Sequence, residues 1–101
     1  MILEKIFSYK KNYQEKLTVI IVTFHSGEII ENLINQLEQS IKILIIENSK
    51  DLSLKSKLED KYSNVEVIIS HNNIGVGAAI NVGLKKVKTK YSLQLSPDVE
   101  V

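Results

Sequence analysis

Four short polar segments of this sequence each follow an apolar, strand-like run. They are Thr23-Phe24-His25-Ser26 after "LTVIIV", Glu47-Asn48-Ser49 after "KILII", His71-Asn72-Asn73 with Gly75 and Gly77 after "VEVII", and Ser96-Pro97-Asp98 after "YSLQL". Hydroxyls, amides and the carboxylates of Glu47 and Asp98 are groups that hold a polar ligand. Carboxylate oxygens accept N–H and O–H donors and suit hard cations. Glycines beside them let a backbone come close to what is bound. Each residue also has a plain structural reading. Asp98 reads as an exposed turn aspartate, Glu47 as a turn or cap residue, His25 as a loop histidine and Ser26 as a helix N-cap.

The intervening sequence supplies elements to position these segments. "LTVIIVTF" is β-branched and almost continuously apolar, as a strand buried on both faces of a parallel sheet reads. In "HSGEIIENLINQLEQS", Ile29, Ile30, Leu33, Ile34 and Leu37 form one helical stripe. "KILIIE" (42–47) predicts a second strand, and residues 52–62 a second helix with Leu54, Leu58 and Tyr62 one per turn. "VEVII" (65–69) predicts a third strand. Residues 75–88 predict a third helix, facing the core through Val76, Ile80, Leu84 and Val87. "YSLQL" (91–95) predicts the fourth strand. Strands alternating with helices imply right-handed crossovers and a parallel sheet covered on both faces. In such sheets ligands bind outside the carboxyl ends of the strands, which is where all four polar segments fall.

Bulk composition narrows the function classes. With 101 residues the chain makes one domain at most. A formal net charge of +1 gives no field that would draw in nucleic acid. The absence of cysteine excludes disulfides, thiolate metal sites and a cysteine nucleophile, and fits cytoplasmic residence. Residues 1–16 read as a leader or short helix packed on the domain or on something else, with a peripheral role at the inner face of the membrane as one option. Glu4, Lys5, Lys10 and Lys11 interrupt any signal-peptide core there.

Four motifs, in order, resemble family 2 glycosyltransferases with the GT-A fold, and the rhamnosyltransferase-like branch in particular. "VIIVTFHSGEIIENLI" is similar to that family's opening strand and helix. "ILIIENSKD" resembles its second strand, which ends in Val-Asp-Asn-x-Ser. "NNIGVGAAINVGLKKV" resembles its Asn-x-Gly-x-x-x-Ala-x-Asn-x-Gly helix, and "YSLQLSPDVEV" its strand ending in Asn-Pro-Asp. The resemblance runs from about Leu17 to the end. It implies a three-layer α/β sandwich with a parallel four-stranded sheet in the order 3-2-1-4, the N-terminal half of a Rossmann-like fold.

The resemblance also implies roles. Asp98, with Ser96 beside it, would hold Mg²⁺ or Mn²⁺ bridging the two phosphates of a UDP- or dTDP-sugar donor. Glu47 takes the place of the family aspartate that contacts the base, one methylene longer. Thr23 would meet the base or ribose through its hydroxyl, with Phe24 or His25 packing beside the nucleoside. Asn73, Gly75 and Asn81 would line the donor site, while Gly83 reads as a close-packing position. Lys85, Lys86, Lys88 and Lys90 read as a solvated face. The parent activity would be transfer of a sugar, with inversion, to a glycan or lipid-linked acceptor. The general base and acceptor surface lie beyond this stretch in the family, so residues 17–101 are expected to be a truncated nucleotide-binding domain, inactive alone. The fourth strand would then be an exposed edge through which a homodimer forms.

Two other readings stand beside this one. "GVGAAI" approaches the dinucleotide fingerprint, and Asp98 falls near that motif's ribose-binding acid. Against it, Ile80 occupies the third glycine position, "HNN" lengthens the turn, and two strand–helix units precede it. The other alternative is a small non-catalytic α/β module that assembles with partners.

Overall fold

A computed structural model describes residues 16–100. Its elements are β1 (Leu17–Thr23), α1 (Ile30–Gln36), β2 (Lys42–Glu47), α2 (Leu52–Lys61), β3 (Val65–Ile69), α3 (Gly75–Lys86) and β4 (Tyr91–Leu95). Apart from Lys16, the leader expected over 1–16 lies outside the described residues. All four strands are parallel, in the order β3-β2-β1-β4. The expected α/β fold class and strand order are both found.

Alternation along the strands divides the core in two. Leu17, Val19 and Ile21 of β1, Ile43 and Ile45 of β2, and Val65 and Val67 of β3 pack with Ile30, Leu33, Leu54 and Leu58 of α1 and α2. On the other face Ile20, Leu44 and Ile46 pack with Ala79 of α3. Right-handed crossovers explain this arrangement. The chain steps outward twice from β1, placing α1 and α2 on one face, then crosses back from β3 to β4 and places α3 on the other.

Side-chain detail departs from the sequence reading in three places. Ser26 does not cap α1 with its side chain. Ile29 holds the N-cap position without a side-chain bond. The Ser26 hydroxyl turns back on Phe24, accepting from its N–H at 3.1 Å and donating to its carbonyl at 3.2 Å. Ile29, expected on the apolar stripe, is exposed.

The third helix meets the sheet through its smallest residues. Ala79 and Gly83 are buried, whereas Val76 is 58% exposed and Leu84 45% exposed. A Cβ built on Gly83 would lie 2.9 Å from Ile20 Cγ2. That approach leaves no room beneath the helix for the larger side chains, which splay to its flank. Strand β4 is less covered than the other strands, with Leu93 and Leu95 half-buried and Ser92 and Gln94 exposed.

Candidate functional site

The register brings the strand ends to one rim. Thr23, the last residue of β1, is paired with Glu47, the last of β2, and Glu47 with Ile69, the last of β3. The final β1–β4 pair is Ile21 with Leu95, so Ser96-Pro97-Asp98 leaves the sheet beside the end of β1. The strand order reverses between β1 and β4, and this is the crevice where open α/β sheets take ligands.

Glu47 organises the rim. It is fully buried. Its Oε1 accepts from Thr23 Oγ1 at 3.0 Å, and its Oε2 accepts from the backbone N–H of Ser49 at 2.7 Å and of Asp51 at 2.9 Å. The Ser49 hydroxyl adds a bond shared between both oxygens, at 2.9 and 2.8 Å. These donors, two hydroxyls and two backbone amides, match the four or so lone-pair sites of a carboxylate. The methylene by which Glu exceeds Asp lets this carboxylate fold back over its own loop, so its acceptors are engaged within the protein.

Ser49 and Asn48, named in the sequence only as part of the polar segment after β2 and given no role of their own, complete the connections. Ser49 Oγ accepts from the His25 N–H at 3.0 Å, joining the loop after β1 to the loop after β2. The Asn48 N–H donates to the Thr23 carbonyl at 2.8 Å, and its Nδ2 donates to the Gly75 carbonyl at 3.3 Å. Asn48 therefore ties the rim to the start of α3. Its Oδ1 is buried and receives no donor from the described residues, a situation that costs about 1–3 kcal/mol for a polar group. Hydrophilic residues directly after a buried strand were the available signal. Their partners lie in other loops and do not show in the local sequence.

The remaining candidates are spread around this rim. Phe24 is 52% exposed. Its ring meets that of His25 edge to face, with centroids 4.5 Å apart. His25 and Lys50 both have left-handed backbones, with φ of 52° and 60°. Such non-glycine conformations are uncommon and recur at ligand sites. Asn73 Oδ1 accepts from the Gly75 N–H at 3.0 Å, shaping the turn into α3, where Gly75 takes φ 81°. Ser96 and Asp98 are exposed. Asn81 is also exposed, on the side of α3 away from Ala79 and Gly83, and is the candidate least associated with the rim.

Beside the rim, between the starts of α1 and α2, lies an open cleft lined by His25, Glu28, Glu31, Asp51 and Lys57. Two of its carboxyls are already engaged. Lys61, Lys57 and the Tyr62 hydroxyl hold Glu31 down from 4.5 to about 2. The Ser53 hydroxyl and the Leu54 N–H lower that of Asp51, which caps α2. Among the described residues no cluster of three or more histidines and carboxylates could hold a metal. Mg²⁺ and Mn²⁺ do not require one, because they take one or two carboxylates together with substrate phosphates and water. Asp98 is exposed, three residues past the end of β4.

Among the described residues no helix is long and apolar enough to cross a membrane. No curated protein matches the chain. The family model described as "Glycosyl transferase family 2" matches residues 18–101, which run from the second residue of β1 to the end of the sequence. The match covers the sheet, its helices and all four rim segments, and by it the chain belongs to glycosyl transferase family 2.

Proposed function

We propose that this rim binds a nucleoside-diphosphate sugar, UDP- or dTDP-linked, for transfer with inversion to a glycan or lipid-linked acceptor. The observation that carries this reading is the convergence of the Thr23, Glu47, Asn73 and Asp98 loops on one rim at the sheet's switch point. Family membership supports the donor class.

Each residue then has a role. Phe24 offers an exposed aromatic face to the nucleoside. Thr23 and Glu47 act as positioning residues: the carboxylate, saturated by its own loop, holds the rim in shape and does not itself read the base. Gly75, with its left-handed backbone, lets the chain turn tightly beside the ligand. Asp98 and the Ser96 hydroxyl supply oxygens beside the diphosphate. A divalent ion held there would stabilise charge on the departing diphosphate as the bond to the sugar breaks.

We assign residues 17–101 to donor binding, as the N-terminal part of the GT-A fold close to the rhamnosyltransferase-like branch. The general base and acceptor surface are assigned elsewhere, so these residues alone transfer no sugar. A cytoplasmic or inner-membrane-peripheral location suits a donor made in the cytoplasm.

Thermal shift separates the readings. UDP or dTDP with Mn²⁺ should raise the melting temperature, and Asp98→Asn should remove the metal-dependent part. A shift with NAD⁺ or NADH, independent of metal, would favour the dinucleotide-binding alternative. No response to any nucleotide would favour a non-catalytic module.

A further inference from the structure

Between the starts of α1 and α2, the cleft beside the rim has a volume of about 540 Å³. That lies within the roughly 300–1,000 Å³ of small-molecule sites. Gly27 stands in its lining. The Gly27 backbone does not call for glycine, because among the described residues the left-handed glycine is Gly75. A Cβ built on Gly27 would come within 3.8 Å of Leu54 Cδ1 and 4.0 Å of Asp51 Oδ2, both in the same lining. Those are ordinary contact distances, so the fold has room for a side chain here. Glycine leaves that room empty, between an apolar group from one side and a carboxylate from the other.

The polar lining is held in place and mixes donors with acceptors. Asp51 Oδ1 accepts from the Ser53 hydroxyl at 2.6 Å and from the Leu54 N–H at 3.2 Å, which fixes the carboxylate. A carboxylate has four or so lone-pair sites, so acceptor capacity remains. Lys57 pairs with Glu31 at 3.1 Å, and an ammonium has two further N–H donors. Lys61, at 2.7 Å, also meets the Glu31 charge within the protein. His25 adds a ring that both donates and accepts. It is held from a left-handed backbone, a conformation that recurs at ligand clamps.

We propose that this cleft binds a neutral sugar unit through its ring hydroxyls. Each hydroxyl both donates and accepts, so it needs fixed groups of both kinds close together. Asp51 and Glu28 offer acceptors, Lys57 offers donors, and His25 offers either. The two oxygens of a carboxylate suit two adjacent hydroxyls of one ring. Gly27 and Leu54 supply an apolar patch for the C–H face of that ring. An anion would meet Glu28 and Asp51, and a cation would meet Lys57 beside a Glu31 already neutralised. The lining therefore favours a ligand rich in hydroxyls and without charge.

One consequence rests on the transfer reading: the sugar in the cleft is a unit of the glycan acceptor, remote from the hydroxyl that reacts. His25 belongs both to the loop after β1 and to the cleft, so the two sites adjoin. Sugar binding itself does not depend on that reading.

The test uses the full 101-residue chain, isotope-labelled for amide NMR spectra. It is titrated with the methyl glycosides of glucose, galactose and rhamnose, and separately with spermidine, inorganic phosphate and the neutral peptide acetyl-Gly-Ser-amide. At least one glycoside should shift the Gly27, Ser53 and Leu54 amides, saturating at millimolar concentration, and leave Val67 unmoved. Gly27→Leu fills the cleft and should abolish those shifts, with circular dichroism and the thermal shift with UDP and Mn²⁺ as in wild type. Asp51→Asn keeps a good helix cap and should weaken glycoside binding, which covers the case of a Gly27→Leu chain that does not fold. The proposal is overturned if no glycoside moves the cleft amides or if Gly27→Leu binds as wild type does. It is equally overturned if spermidine, phosphate or the peptide moves them more strongly than every glycoside. Loss of the UDP response with the glycoside shifts intact would overturn the donor reading and leave this one standing.

Discussion

The hydroxyl of Thr23 donates to Glu47 Oε1 at 3.0 Å, joining the last residues of two neighbouring strands with both side chains fully buried. The carboxylate next to the proposed donor site is thereby fixed by the sheet, and the His25 N–H to Ser49 Oγ bond ties the loops after β1 and β2 together. A buried carboxylate is tolerated only when its charge is met by donors, and here four are supplied.

Substitution should expose this dependence. Thr23→Val keeps the shape but withdraws one donor, and should cost about 1–2 kcal/mol in urea unfolding. Glu47→Ala strands the Thr23 hydroxyl and the Ser49 and Asp51 amides, and should cost about 3 kcal/mol or more. In the double variant the two costs should not add, because the Thr23 donor has already lost its acceptor.

Two of the three glycines of α3, Gly77 and Gly83, should respond to alanine with opposite signs. A methyl at Gly83 meets Ile20 Cγ2 at 2.9 Å, and Ile20 is a buried, β-branched residue with little rotamer freedom. Gly83→Ala should destabilise by about 1–3 kcal/mol despite the gain in helix propensity. At Gly77 nothing lies within 4 Å of a built Cβ, so Gly77→Ala should stabilise by about 0.5–1 kcal/mol. Thermal melts of the two variants check both signs.

Acid should weaken the fold through Glu31. Lys61, Lys57 and Tyr62 favour its ionised form, and in the folded chain it titrates at about 2 rather than 4.5. A lowered folded value means the stabilisation is complete above the unfolded value and disappears as pH falls through the folded one. Stability should therefore decline between about pH 4.5 and pH 2. The Lys55 ammonium and the Val67 N–H likewise lower Glu59 and add to the same loss. In Glu31→Gln the decline should be shallower. Denaturant midpoints across this range, compared with wild type, decide it.

Opening the β3 edge, where Glu59 and Lys55 of α2 bond to Val67, should make that strand labile. Glu59→Ala removes the acceptor for the Val67 N–H and the partner of Lys55. The Val67 amide should exchange its hydrogen at least tenfold faster, and the protein should aggregate at lower concentration on warming. Lys42→Ala, which removes a surface pair with Glu66 at 3.2 Å, should leave that exchange unchanged.

Much of this architecture is legible in the chain itself. β-branched runs at 17–23, 42–47 and 65–69, separated by helical periodicity, dictate parallel strands and right-handed crossovers because few other topologies bury them. Strand polarity alone then sends Thr23, Glu47, Asn73 and Asp98 toward one rim. Tertiary structure decided what local patterns do not encode. Whether α3 presents Val76 and Leu84 or Ala79 and Gly83 to the sheet depends on how close its axis comes to Ile20, a distance set by side chains far away in sequence. Whether Glu47 faces a ligand or its own loop depends on donors from Ser49 and Asp51 in that loop and on the Thr23 hydroxyl, which only the pairing of β1 with β2 brings alongside. Periodicity records which residues are apolar, whereas packing distance and hydrogen-bond partners belong to the assembled fold.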